Sequence, residues 1–404
     1  MTDAIATEED IESGNEMVQK ASWEHEELAQ VRIKVIKAHG AAVNSCEFFD
    51  EDQKILSGSS DRTVKLFNVE DGVCLQTYNT KHTDIITEAR GSTDGSKFVT
   101  SSYDKSVQMF DFQTGKQLWT GKHYGMAMCC KISSDGSMVA SGSDLDNCLN
   151  IWDADSGQII HTIPDLHKST ITSVMFAPDN DKVITTSMDR TTKFFDLKTK
   201  KSTIHLQGHI NIVSSCDITK DERKFATASW DKNICIWDIA TGTYRSKGPV
   251  KLCAGHEGSV SCCKFSPDGL MLVSGSYDQT VVVWDIENEI QKIKLQGHTD
   301  WVEDVCFSQD QTWLTSCARD GTVRLWNIED SDKIPIVLEK KKAIGVKITK
   351  CENCGKPFSM AQLDDLKDLT RCVFCRVHTS DLYFEKMRTE SSAAERTDPT
   401  DPET

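Results

Sequence analysis

The chain has 404 residues, 38% of them hydrophobic, and a formal net charge of −16, which leaves room for one large domain and additional segments. That charge speaks against a whole-chain nucleic-acid binder, because phosphate contacts need clustered cations. No apolar run approaches the ~18 residues needed to span a membrane.

The first residues, MTDAIATEEDIESGNE, contain no apolar stretch of the secretory type. The 16 cysteines therefore read as thiols and metal ligands, not as a disulfide framework, and the compartment as cytoplasmic or nuclear. Residues 1–30 hold nine acidic residues against one Lys, a composition that predicts a disordered segment. Val31–Lys37 then alternates apolar and charged residues, as a strand does.

From His39 onward one template recurs: a His, an Asp about 22 residues later, and an aromatic six residues after that Asp. The copies are His39/Asp61/Phe67, His82/Asp104/Phe110, His123/Asp146/Trp152, His167/Asp189/Phe195, His209/Asp231/Trp237, His256/Asp278/Trp284 and His298/Asp320/Trp326. The aromatics are 43, 42, 43, 42, 47 and 42 residues apart, a register that chance does not hold over about 300 residues. The third copy alone has 23 residues between His and Asp. Each copy predicts short strands separated by turns such as TDGS, SDGS and PDGL. Apolar residues fall four and nine places after the His; Gly91 breaks the second series and is expected to weaken the packing of its repeat. Seven places after the His stand Cys46, Ala89, Cys130, Val174, Cys216, Cys263 and Val305, so four cysteines read as small core hydrophobes. The longer gap between Trp237 and His256 predicts an extended loop.

This period and signature resemble WD40 repeats over roughly residues 31–330. The resemblance implies an all-β fold, a seven-bladed β-propeller with four strands per blade. It implies that Val31–Lys37 completes the last blade by pairing with the strand ending at Trp326, with Ile334–Leu338 a rival for that edge. It also implies that each His, a Ser/Thr, the Asp and the Trp form a hydrogen-bonded structural tetrad, since a buried Asp must be satisfied. Phe67, Phe110 and Phe195 lack the indole N–H, so their blades should be less rigid. Seven equivalent His/Asp pairs argue against a single active site, and neither a Gly-rich phosphate loop nor a G-x-S-x-G elbow is present. The chain therefore reads as non-enzymatic.

The residue before each repeat Asp forms the series Ser60, Tyr103, Leu145, Met188, Trp230, Tyr277, Arg319, and Trp301 lies three past its His. Such side chains gathered on one face mark a binding surface. Tyr103, Met188, Trp230, Tyr277, Trp301 and Arg319 are the candidate partner-binding residues, for a peptide or a partner protein, with the propeller itself a monomer inside a larger complex.

A charged linker over residues 331–348 leads to a module over 349–380. Cys351-x2-Cys354, 17 residues, then Cys372-x2-Cys375 matches the spacing of a four-thiolate zinc site and resembles a zinc ribbon. One structural Zn2+ is expected, free thiols or disulfides being the alternative; His378 reads as a surface residue. Residues 338–388 carry 11 Lys/Arg against 7 Asp/Glu, which leaves nucleic-acid contact through this module open. Residues 389–404 read as a disordered tail. The functional expectation is a scaffold that assembles a protein complex. The alternatives are an RNA-associated complex subunit and a ubiquitin-ligase substrate receptor, the latter disfavoured because no repeat ends in Trp-Asp-x-Arg.

Overall fold

The computed structural model describes residues 23–25, 31–253, 255–329, 348–350 and 357–359. Residues 31–329 form seven antiparallel sheets. The innermost strands, Val43–Phe49, Ile86–Gly91, Ala127–Ile132, Ile171–Phe176, Val213–Ile218, Val260–Phe265 and Val302–Phe307, each lie beside the next, and the last lies beside the first. The sheets therefore form a closed seven-bladed propeller. We number the blades one to seven by the repeat His in chain order. Among the described residues no helix is long and apolar enough to cross a membrane.

Burial follows position within the blade. Every second strand, Lys54–Ser59 for example, is buried along five consecutive residues because neighbouring blades cover both its faces. Such strands must be apolar or small throughout, with no alternation. The fourth strands of blades one to three show the opposite pattern and expose Leu75, Leu118, Ile159 and Ile160. Cys46, Cys130, Cys216 and Cys263 are buried in the inner strands. Burial pushes the Cys216 thiol up to about 12 and raises that of Cys130, which keeps both protonated.

The ring closes through Arg32–Lys37, which pairs antiparallel with Thr322–Asn327, Ile33 opposite Trp326 and Lys34 opposite Leu325. The rival strand Ile334–Leu338 lies outside the described residues. Trp23–His25, inside the segment expected to lack structure, corrects that expectation locally: it pairs with Arg32–Lys37 as a fifth strand of blade seven, covering an edge that would otherwise stay open. The gap after Trp237 holds a helical turn, Tyr244–Lys247, and the short fourth strand Val250–Leu252, with the Tyr244 ring edge-on to Trp237.

Six blades contain the hydrogen-bonded chain. His Nδ1 lies 2.8–3.2 Å from the carboxylates of Asp61, Asp104, Asp189, Asp231, Asp278 and Asp320. On the other side Nε2 of His39, His82, His167, His209, His256 and His298 faces Ser57, Thr100, Thr185, Thr227, Ser274 and Ser316 at 2.7–2.8 Å. The indoles of Trp237, Trp284 and Trp326 donate to those hydroxyls at 2.8–3.0 Å. With Nδ1–H donating to Asp, Nε2 accepts the hydroxyl proton and the hydroxyl oxygen accepts the indole, so the sequence of donors is consistent with a neutral imidazole.

Blade three departs from this pattern and corrects the assignment of Asp146. Its carboxylate takes the Ser143 hydroxyl, and His123 Nδ1 instead meets Asn150 Nδ2 at 3.2 Å. His123 Nε2 and Trp152 Nε1 still reach Ser141, each at 2.7 Å. The extra residue between His and Asp is accommodated in the turn, where Asn147 takes φ 48°. Without an ion partner in bonding contact, burial lowers the His123 pKa from 6.5 to about 4.

Gly91 is also corrected. It does not loosen its repeat. A Cβ there would lie 2.6 Å from the Phe49 ring, so the missing side chain makes room for an aromatic from blade one. Phe49 continues to Phe112, ring centroids 4.3 Å apart.

A two-stranded hairpin, Ile348–Lys350 with Pro357–Ser359, lies in a separate unit of the chain. Cys351, Cys354, Cys372 and Cys375 lie outside the described residues.

Candidate functional site

The tetrads shape the face that carries the candidate site. Each Asp also accepts the backbone N–H two residues on, as in Asp61–Thr63 at 2.9 Å and Asp278–Thr280 at 3.0 Å. The residue after the Asp is left-handed in all seven blades: φ lies between 69° and 79° at Arg62, Lys105, Arg190, Lys232, Gln279 and Gly321, and is 48° at Asn147. The residue before it is tied to the loop before the inner strand: Tyr103 N–H donates to the Ile85 carbonyl at 3.1 Å, Trp230 to Ile212 at 3.0 Å, Tyr277 to Ser259 at 2.9 Å and Arg319 to Trp301 at 2.9 Å. A turn held at both ends aims this one side chain at the propeller axis.

There the structure brings Tyr103, Met188, Trp230, Tyr277, Trp301 and Arg319 together around one cavity of about 920 Å³. Tyr277 stacks on Trp301 with centroids 4.5 Å apart and 18° between planes, and Trp230 lies 6.0 Å from Tyr277. The Arg319 guanidinium sits 4.4 Å from the Trp301 centroid and donates through Nε to Glu303 at 2.5 Å. Leu145, in the blade with the extra residue, is displaced: it is 66% exposed and does not line the cavity.

The cavity wall contains a ring that the sequence reading passed over. Five residues past each His stand Asn44, Thr87, Met128, Thr172, Ser214, Ser261 and Glu303, all lining the cavity. Five of them stitch one blade to the next by donating to a carbonyl on its inner strand: Asn44 to Ile86 at 2.6 Å, Thr87 to Ala127 at 3.0 Å, Thr172 to Val213 at 2.6 Å, Ser214 to Val260 at 2.7 Å and Ser261 to Val302 at 2.6 Å. The fixed offset of small polar residues within an apolar strand is the signal that could have revealed them.

Charge in the wall is confined to Glu303 and Arg319. Burial raises the Glu303 pKa, with Asp300 and Asp304 adding to the rise and Arg319 opposing it. Burial likewise raises the Tyr103 and Tyr277 hydroxyls, so both remain hydrogen-bond donors at neutral pH. Six and eight residues past the His stands a second unforeseen cluster that joins blades; its Glu88, Arg90 and Lys131 line a smaller cavity of about 260 Å³. Arg90 bonds Asp304 at 2.7 Å and Glu88 at 2.9 Å, and Lys131 bonds Glu47 at 3.2 Å. Glu88 and Asp304 also accept the N–H groups of Cys130 and Cys46, which accounts for buried charge in structural terms.

A family model described as "WD domain, G-beta repeat" matches residues 30–68, 72–111, 115–153, 157–196, 200–238, 247–285 and 289–327. The chain is 38% identical over 372 residues to WD repeat-containing protein 88 of Homo sapiens, covering 91% of this chain and 79% of that protein. It is 30% identical over 176 residues to the U5 small nuclear ribonucleoprotein 40 kDa protein of Dictyostelium discoideum, 43% of this chain and 48% of that one. It is 26% identical over 209 residues to Periodic tryptophan protein 2 of Arabidopsis thaliana, 51% of this chain and 23% of that one. Seven matched repeats, each folded as one blade of a closed ring, establish that the chain belongs to the WD40-repeat family.

Proposed function

We propose that the protein is a non-enzymatic scaffold that holds a partner protein or peptide in the axial cavity and so assembles a multiprotein complex. The observation that carries this reading is the convergence of Trp230, Tyr277, Trp301 and Tyr103 from separate blades on one open cavity. Aromatic side chains supply large contact area at low entropic cost, and they dominate interface energetics. Affinity capture from cells with the wild-type chain and a folded Trp230→Ala/Trp301→Ala variant tests it. Selective loss of partners in the variant supports the assignment; an unchanged set of partners overturns it.

A second reading, a subunit of a nuclear ribonucleoprotein assembly, is favoured by the names of two relatives, the U5 ribonucleoprotein protein and a U3 small nucleolar RNA-associated protein 15 homolog of Xenopus tropicalis. It predicts salt-dependent RNA binding by the full chain that is lost with the C-terminal cysteines.

For that module we propose one structural Zn2+ on Cys351, Cys354, Cys372 and Cys375. The hairpin strands Ile348–Lys350 and Pro357–Ser359 bracket the first pair in the sequence, as a knuckle requires, and four thiolates leave no open coordination position. Metal analysis of purified protein should give about one zinc per chain, and Cys351→Ser should release it while the propeller transition is retained. Full zinc content in that variant would overturn the ligand set.

A further inference from the structure

Glu303 is the one ionisable member of its ring, and one of two that do not stitch a blade to its neighbour. Five of the seven equivalent positions carry donors that stitch a blade to its neighbour. Met128 has no donor to offer. Glu303 has none either when ionised, and its carboxylate turns to Arg319 instead. Side-chain exposure is 15% for Glu303 and 46% for Arg319, so the acid is set into the wall while its cation lies at the rim. The surrounding field is acidic. Asp84 and Asp300 immediately precede the lining residues Ile85 and Trp301. Asp84 and Asp144 act on Tyr103, and Asp300 and Asp304 act on Glu303. The lysines and arginines of the same turns, Arg62, Lys105, Arg190 and Lys232, do not line the cavity.

Resting on the scaffold reading above, we propose that the axial cavity selects a partner segment carrying an arginine or lysine side chain, with Glu303 as its counter-ion and Trp301 and Tyr277 as its aromatic wall. An indole face attracts a cation through its quadrupole, and more strongly once water is excluded. A set-in carboxylate binds a guanidinium through charge-assisted hydrogen bonds. Arg319 already makes both contacts from within the chain, Glu303 on one side and the Trp301 ring at 4.4 Å on the other. It therefore occupies the position of the ligand's own cation and must move aside when the partner arrives. Specificity follows as well, because an acidic segment would meet the rim aspartates and would have to compete with Glu303 for Arg319, the one cation in the wall.

The test pans a random-peptide phage library on the intact chain and measures affinities of the synthetic winners. The expected winners share an Arg or Lys, depend on Trp230 and Trp301, and bind at least about tenfold more weakly to Glu303→Gln. Replacing the peptide's basic residue with norleucine should cost the same factor in wild type and little more in Glu303→Gln. Arg319→Gln should tighten binding several-fold by freeing the counter-ion, an effect opposite to loss of fold. Winners that require Trp230 and Trp301 but lack a basic residue, or bind Glu303→Gln equally, would overturn the cation assignment and leave the face intact. Weaker binding to Arg319→Gln would also overturn it. A library with no binder dependent on Trp230 and Trp301 would overturn both readings.

Discussion

The Nζ of Lys34 lies 3.2 Å from the backbone carbonyl of Val69, so the strand that closes blade seven is bolted to the turn of blade one. Lys34 is fully buried and also reaches the Glu70 carbonyl. Val69 of the same turn also packs against the apolar cluster that includes Ile36, Val323 and Leu325, so the lysine adds a polar bond to an apolar contact.

Lys34→Met keeps the aliphatic stem and removes the donor. It should destabilise the propeller by about 1–3 kcal/mol through the unsatisfied carbonyls. Denaturant titration followed by tryptophan fluorescence would measure this, and an unchanged midpoint would remove Lys34 from the closure.

Asp278→Ala and Asp146→Ala should differ. Asp278 accepts from His256, from the backbone at Glu257 and from Thr280, and its loss should cost about 1–3 kcal/mol. Asp146 has no bond to its His, and Asp146→Ala should stay within about 1 kcal/mol. Equal losses by calorimetry would contradict the assignment of blade three.

Gly91→Ala should cost about 1–3 kcal/mol as an overpacking substitution, because the added methyl would sit 2.6 Å from the Phe49 ring. Combining it with Phe49→Leu should cost less than the sum of the two single changes. Strict additivity in that cycle would show that the two residues do not share one space.

Stability should fall as the solution is acidified from neutrality. Burial depresses the pKa values of His39, His82, His123 and His298 in the folded state. A base with a depressed folded pKa binds its proton more readily when unfolded, so stability is lost as pH falls below the unfolded value of about 6.5. The shift of His123 from 6.5 to about 4 is worth on the order of 3 kcal/mol across that window. The tetrad aspartates act next: their hydrogen bonds outweigh burial and lower their folded pKa, Asp231 to about 2. Stability that is present above about 4 is then lost as pH falls through the folded value. Replacing His123 with Asn should flatten the stability profile between pH 6.5 and 4, read by denaturant midpoints at each pH; an unaltered slope would place the titration elsewhere.

Blade number, strand order and the closing strand could be read from the sequence because a repeat reports itself many times over, and a His, an Asp and an aromatic at fixed offsets survive local noise. The six cavity residues could be read for the same reason: each sits at a fixed offset from a repeat landmark. Where one residue was added, as before Asp146, the offset no longer reported the partner. Gly91 misled because its neighbour in space, Phe49, is 42 residues away in the chain.

The sequence by itself determined the architecture, since periodic placement of apolar and turn residues dictates strands and their order. Only the tertiary structure decided which side chains face one another across the axis. Ring closure brings Arg90 of blade two to Asp304 of blade seven at 2.7 Å, and gathers into one cavity wall residues from all seven blades, around the Glu303–Arg319 pair that blade seven makes by itself. Those meetings depend on the curvature accumulated around a complete ring, and no single repeat encodes that curvature.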